Sequence, residues 1–193
     1  MLHNKNSREP AAIEAINREA DALGFNMSCD TETGSLLRTL AASCPKGRLL
    51  ELGTGAGVST SWILDGMCKE SVLLSVESDE SVQGIAQKHL GGDERLRLFV
   101  MDGADLIQEL EAGSFDFIFA DTWPGKFHAL EEALALLKPG GLYIIDDLIP
   151  IPSWSEGHPA KVDTLIRSLD SREDLQLTKL DWSTGIIIVT KKH

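Results

Sequence analysis

The chain has 193 residues, 42% hydrophobic and 25% charged, which is enough for one globular domain with a full core. Its net charge of −12 disfavours nucleic acid and anionic membrane surfaces as partners, because either would be approached against long-range repulsion. Cys29, Cys44 and Cys68 are odd in number and form no C-x-x-C pair, which argues against a disulfide framework or a zinc site, and no apolar run approaches about 18 residues, so a cytoplasmic protein with no membrane partner is expected.

In chain order, two amphipathic helices are expected first, over 11–23 and 34–42, placed to lie across a ligand crevice. From residue 48 onward, short runs of Val, Ile and Leu alternate with segments of helical period. The runs predict strands at 48–52, 72–77, 96–101, 115–120 and 142–145, with helices at 58–67, 79–90, 104–111 and 127–137 between them. The last of these helices ends in Lys138-Pro139-Gly140-Gly141, a helix stop followed by a turn. A proline-broken loop, Ile149-Pro150-Ile151-Pro152-Ser153-Trp154, then leads to a helix at 159–169. Strands at 175–180 and 185–190 are joined by only four residues, short enough for an antiparallel hairpin. The pattern predicts one α/β domain over 1–193: N-terminal helices in 1–45, then a Rossmann-like, doubly wound, mostly parallel seven-stranded sheet in 46–193 with an antiparallel C-terminal strand.

The first predicted strand ends in Glu51-Leu52-Gly53-Thr54-Gly55-Ala56-Gly57 and runs straight into a helix starting near Val58 or Ser59. Residues without Cβ let a ligand approach the backbone, and the unpaired N–H groups of the helix start favour an anionic group there. Glu77 ends the second strand twenty residues beyond Gly57, where a carboxylate can bind ribose hydroxyls in doubly wound sheets. An adenosine cofactor is therefore expected. A dinucleotide fingerprint needs G-x-G-x-x-G, whereas position 58 is Val and the third glycine comes one residue early, which weakens NAD.

The string LLELGTGAGVST resembles the first motif of class I S-adenosylmethionine-dependent methyltransferases. The resemblance implies that Glu51, Gly53, Thr54, Gly55, Gly57 and Ser59 face the methionine part of that cofactor. SVESDESV resembles the second motif, with Glu77 and Ser78 at the ribose. In Val100-Met101-Asp102-Gly103-Ala104, which resembles the third, Asp102, Gly103 and Ala104 would border the adenine. The resemblance runs from about residue 27 to the C-terminus.

Two further strands end in acids. Asp121 follows the fourth, and Asp146-Asp147 follows the fifth. Three carboxylates at one rim repel one another unless a cation neutralises them, and an all-oxygen set suits Mg²⁺ or a similar divalent ion. Such an ion can hold two vicinal hydroxyls and lower the pKa of the one to be methylated. These positions are similar to those of the catechol and caffeoyl-CoA type of O-methyltransferase, whose magnesium ligands are an Asp after strand four and an Asp-Asn pair after strand five. Here the pair reads Asp-Asp, and Pro124 stands where the family has its catalytic lysine, leaving Lys126 as the nearest candidate base beside Asp121.

Trp123 and Trp154 follow the acid-bearing strands and are candidates for lining an acceptor pocket, while Trp182 reads more simply as loop packing, and His128, one turn into the helix after strand four, and His158, in the loop after strand five, as ordinary polar residues rather than bases. The expected activity is methyl transfer from S-adenosylmethionine to an oxygen of a small hydroxylated molecule, possible metal assistance included, in a protein for which a homodimer is a fair expectation. The alternatives are a metal-independent methyltransferase acting on another metabolite, an NAD-dependent oxidoreductase, and a cofactor-binding protein without catalysis.

Overall fold

The computed structural model describes residues 8–149 and 157–193, so the expected proline-broken loop, with Trp154, falls mostly outside the described residues. The elements in chain order are α1 (Ile13–Leu23), α2 (Thr31–Ala42), β1 (Arg48–Leu52), α3 (Val58–Gly66), β2 (Val72–Glu77), α4 (Glu80–Leu90) and β3 (Leu96–Val100). They continue with α5 (Gly103–Glu109), β4 (Phe115–Ala120), α6 (Leu130–Ala135), β5 (Leu137–Ile145), α7 (His158–Asp170), β6 (Leu175–Leu180) and β7 (Ile186–Lys191). No helix among the described residues is long and apolar enough to cross a membrane.

The strands form one seven-stranded sheet in the order β3-β2-β1-β4-β5-β7-β6. Five neighbouring strands run parallel, and β7 runs antiparallel to both β5 and β6, as the closing hairpin predicts. The chain order reverses between β1 and β4, and that gap at the carboxyl ends is where an open α/β sheet binds ligands.

Alternation along the strands divides the core into two layers. Leu50 and Leu52 of β1 join Ile118, Ala120, Tyr143 and Ile145 under α5, α6 and α7. Leu49 joins Phe117, Phe119 and Ile144 under α2 and α3. The Phe115, Phe117 and Phe119 side chains of β4 are all fully buried, each contributing about 1.5–3 kcal/mol relative to exposure. Covering both faces explains why β4 reads as an almost unbroken apolar run.

Three segments depart from expectation. α2 begins at Thr31, because the Asp30 carboxylate accepts the Thr33 N–H at 2.8 Å and caps the helix. The helix expected over 127–137 is confined to Leu130–Ala135. The Trp123 carbonyl gathers the N–H groups of Lys126 and Phe127 into a tight turn, and Ala129 at φ 52° interrupts any continuation. β5 starts at Leu137 rather than 142: Leu137 pairs with Phe115, the register then shifts, and pairing resumes with Leu142 opposite Phe117. Gly140 at φ 78° allows this irregularity, so Pro-Gly-Gly here makes a bulge instead of a loop.

α1 and α2 pack on the outer helices, α1 against α3 and α4, and α2 against α3. The connection between them crosses the crevice instead. The Phe25 ring stands against Gly55, and Asp30 accepts the Ser183 hydroxyl from the β6–β7 turn.

Candidate active site

Gly53, Gly55 and Gly57 all have positive φ, at 101°, 51° and 102°. Two of them also answer to close packing. A Cβ on Gly53 would meet the Asp121 carbonyl oxygen at 2.8 Å, and one on Gly57 would meet the Ala86 Cβ at 2.8 Å. The turn is therefore held against the β4 exit on one side and α4 on the other. The N–H groups of Gly53 and Thr54 both donate to the Val76 carbonyl at 3.0 Å, fixing the turn to β2.

Glu51 lies beneath this turn, fully buried on the α3 side of β1. Its Oε2 accepts the Thr60 and Ser75 hydroxyls, each at 2.6 Å. Because the Ser75 proton is committed to Glu51, Thr54 must donate to Ser75 across their 2.6 Å contact, and the Gln83 amide donates to Thr54 at 3.2 Å and to the Phe99 carbonyl at 2.9 Å. A directed chain of donors thus runs from α4 through the glycine turn and β2 to one carboxylate oxygen. Burial nevertheless dominates and raises the Glu51 pKa to about 7, opposed by the hydroxyls of Ser59, Ser75 and Thr60. Oε1 is buried without a hydrogen-bond partner among the described residues. An orphaned acidic oxygen beneath a glycine cradle fits a cationic ligand group, such as the amino group of an amino-acid moiety.

Glu77 spans the mouth of the same crevice. Its Oε2 accepts the Gly55 N–H at 3.0 Å, and Oε1 accepts the N–H groups of Ser78 and Asp79 at 2.8 and 3.1 Å. Asp102 is exposed and caps α5 through the Ala104 N–H at 2.7 Å, while Gly103 lies against Pro124, bringing the β3 and β4 exits together. Of the expected cofactor residues, Thr54 and Ser59 turn their hydroxyls inward to the Glu51 network, whereas Glu77 and the glycine backbone border the crevice.

The three acids expected at the other rim do converge. Asp121, Asp146 and Asp147 each offer a carboxylate oxygen, all within 4.8 Å of one another. Asp146 is buried and its Oδ1 accepts the Thr184 hydroxyl at 2.6 Å and the Asp147 N–H at 2.8 Å. Asp147 takes a left-handed φ of 61°, a strained choice for a residue with a side chain. Burial pushes the Asp121 carboxyl well above the usual range; Lys126 opposes the shift, and Asp146 and Asp147 add to it. Asp146 is raised as well, again chiefly by burial.

Lys126 is buried, and its Nζ stands 4.0 Å from Asp147 Oδ2. The Trp123–His128 turn brings it there: Tyr143 donates its hydroxyl to the Gly125 carbonyl at 2.5 Å, and Gly125 takes φ 78°. Three carboxylates and one ammonium leave two negative charges when all are ionised. The donor set and the charge surplus fit a divalent, oxygen-seeking cation. Beyond Lys126 opens a cavity of about 730 Å³ between the β4–α6 turn and α7; its wall includes Trp123, Phe127 and Lys126 but none of the three acids.

Sequence reasoning missed the second tier: Ser75, Thr60 and Gln83 around Glu51, Thr184 behind Asp146, and Tyr143 behind Lys126. Ser75 left a signal, a polar residue within the apolar strand VLLSVE. Thr184 left none, since its contact with Asp146 spans 38 residues of chain.

Comparison with known proteins agrees with this geometry. Residues 50–148 match a family model described as a methyltransferase domain. A catechol O-methyltransferase of Niastella koreensis is 32% identical over 148 residues, covering 73% of this chain and 67% of that protein. A Mycolicibacterium vanbaalenii relative, also classed as an O-methyltransferase, is 31% identical over 142 residues, and the match spans 71% of this chain but 62% of the relative. Among solved structures, the Streptomyces achromogenes O-methyltransferase TomG in complex with S-adenosylmethionine superposes with a TM-score of 0.84 at 20% identity, covering 98% of this chain and 93% of that one. A Bacillus cereus O-methyltransferase in complex with S-adenosylhomocysteine gives 0.82 at 20% identity, with 98% and 94% covered. At such identities these structures establish the shared fold.

Proposed function

The chain belongs to this methyltransferase-domain family, and we propose that it transfers the methyl group of S-adenosylmethionine to an oxygen of a small hydroxylated molecule, with a divalent cation assisting. The observation that carries this reading is the junction of two half-sites at the sheet's reversal point. The glycine turn over Glu51 and the acid cluster meet where Gly53 packs on the Asp121 backbone.

Bound S-adenosylmethionine supplies an electrophilic methyl carbon on a sulfonium, open to direct displacement. Glu51 and the turn at Gly53, Gly55 and Gly57 bind its amino-acid end, Glu77 and Ser78 its ribose, and Asp102, Gly103 and Ala104 border its base. Asp121, Asp146 and Asp147 would hold a divalent ion such as Mg²⁺, which lowers the pKa of a hydroxyl presented to it. In its neutral form Lys126 receives the acceptor's hydroxyl proton at Nζ, and Asp121, ionised when it holds the ion, stabilises the ammonium that forms beside it. Tyr143 orients that lysine through Gly125. The strap carrying Phe25 and Asp30 shields the crevice from water. We place the enzyme in the cytoplasm, acting on a small molecule rather than nucleic acid or membrane, and take a homodimer as the working assembly.

Calorimetry with S-adenosylhomocysteine and methyl transfer to a panel of vicinal diols test the reading. Binding, with turnover abolished by EDTA and restored by Mg²⁺, is the expected result. Full activity in excess EDTA would remove the cation and leave the cofactor standing, whereas NADH binding without S-adenosylhomocysteine binding would overturn the cofactor as well.

A further inference from the structure

The strap between α1 and α2 crosses the crevice with little of its own to hold it there. Phe25 and Cys29 turn inward, while Asn26, Met27 and Ser28 between them are exposed. Phe25 stands over Gly55 of the glycine turn. Burial raises the Cys29 thiol well above its usual pKa, and the carboxylates of Asp121, Asp146 and Glu51 add to the shift, which puts this thiol over the seam between the two half-sites. Among the described residues, positions 26–29 make no hydrogen bond, so the strap is fixed through its ends. At one end Gly24 closes α1 in the left-handed conformation, and the Phe25 N–H donates to the Ala20 carbonyl at 2.9 Å. At the other end stands Asp30.

Asp30 uses its two oxygens differently. Oδ1 accepts the Thr33 N–H at 2.8 Å and caps α2, whereas Oδ2 accepts the Ser183 hydroxyl from the β6–β7 turn. The hydroxyl of Thr33, itself fully buried, donates to Ser183 Oγ at 3.2 Å and aims that serine at Asp30. Ser183 holds this place at a left-handed φ of 56°, a conformation costly for a residue with a side chain. The next residue faces the other half-site: Thr184 donates its hydroxyl to Asp146 at 2.6 Å, and its carbonyl accepts the Leu148 and Ile149 N–H groups at 2.9 and 2.7 Å. One turn thus sends adjacent hydroxyls to the two halves of the crevice.

We infer that Ser183 is a positioning residue for the cofactor: acting through Asp30, it latches the strap over the crevice and slows the escape of bound S-adenosylmethionine and S-adenosylhomocysteine. The inference rests on the methyl-transfer reading and deepens it by naming what closes the cofactor half. A single hydroxyl–carboxylate bond at the surface is weak enough to open for exchange and strong enough to shift the strap toward its closed position.

The test uses two variants that both delete the hydroxyl but differ in backbone strain. Ser183→Gly suits the left-handed φ and Ser183→Ala does not, so urea unfolding should find the glycine variant the more stable. Preloaded radiolabelled S-adenosylhomocysteine is chased with excess unlabelled ligand and followed by rapid filtration. Both variants should release it roughly five- to tenfold faster than wild type, irrespective of their stabilities. Asp30→Ser keeps a cap on α2 but loses the oxygen that receives Ser183; it should match them, and the Asp30→Ser/Ser183→Gly double variant should release no faster than either single. Wild-type release from the Ser183 variants, release that tracks stability, or additive effects in the double variant overturns the inference while the methyl-transfer reading stands. Failure of S-adenosylhomocysteine to bind the wild type at all removes both.

Discussion

Glu51 gives the sharpest test of how the cofactor half is built. Burial lifts its pKa from 4.5 to about 7, and each unit corresponds to about 1.36 kcal/mol, so holding it ionised in the folded chain costs about 3 kcal/mol. Between those two values the folded state keeps a proton that the unfolded state has released. The unfolded state thus binds fewer protons, and stability falls as pH rises through this window. Below about 4.5 both states are protonated and the penalty is absent; above about 7 it is present in full. Glu51→Gln abolishes this titration. The amide placed at the orphaned Oε1 position adds its own desolvation cost of roughly 1–3 kcal/mol, but that offset is independent of pH. Asp121 and Asp146 also titrate abnormally, yet they are common to both proteins and cancel in the difference. Urea unfolding of ligand-free wild type and Glu51→Gln, from about pH 5 to about pH 8, should therefore show the variant gaining on the wild type by most of that ~3 kcal/mol. Ser75→Ala, which deletes one donor to Oε2, should move the wild-type window upward. A constant stability difference across the range would refute the reasoning.

Other perturbations separate packing from function. Gly57→Ala forces a Cβ to 2.8 Å from Ala86 at a left-handed φ and should destabilise by about 2 kcal/mol or more, whereas Gly84→Ala, in the open on α4, should stabilise by roughly 0.5–1 kcal/mol; urea midpoints decide both. Tyr143→Phe leaves the Gly125 carbonyl buried without its donor and should cost about 1–3 kcal/mol, with kcat falling while affinity for S-adenosylhomocysteine is kept, as calorimetry and turnover will show. Thr184→Val should weaken Mn²⁺ binding about 10–100-fold in a direct titration, and Thr184→Ser should restore it, if the hydroxyl sets the Asp146 carboxylate for a metal.

The framework was legible because its signals are local. Apolar runs of strand length, separated by helical periods, placed every strand, and Asp181–Thr184 was too short for anything but a hairpin. The acids were legible for a related reason: Asp121, Asp146 and Asp147 each follow a strand whose end is fixed, and parallel strands bring their carboxyl ends to one edge. The misreadings have local causes too. Nothing in the spacing of Trp123 to His128 announces that one carbonyl will gather successive N–H groups and shorten α6, and Pro-Gly-Gly reads equally as turn or bulge until Phe115 is seen opposite Leu137. What lay beyond reach was the second tier. Gln83, Thr184 and Tyr143 act over 16, 38 and 18 residues of chain on partners that only the folded sheet brings near.

The two halves of the crevice solve the same problem, a carboxylate removed from water, by different means. At Glu51 the chain supplies its own solution: hydroxyl donors converge on one oxygen, themselves backed by Thr54 and Gln83, and a single acceptor atom is left over. At the acid cluster the chain supplies too little, since one ammonium faces three carboxyls and burial drives both Asp121 and Asp146 toward the protonated form. The cofactor half is thus preorganised by hydrogen bonds that exist before any ligand arrives. The acceptor half has charge still to be balanced, and what balances it must come with the ligands. Cofactor binding by this chain should then be indifferent to added cation, whereas acceptor affinity should rise with it; the joint between the two is the Gly53–Asp121 backbone contact, where a side chain in place of Gly53 would disturb both.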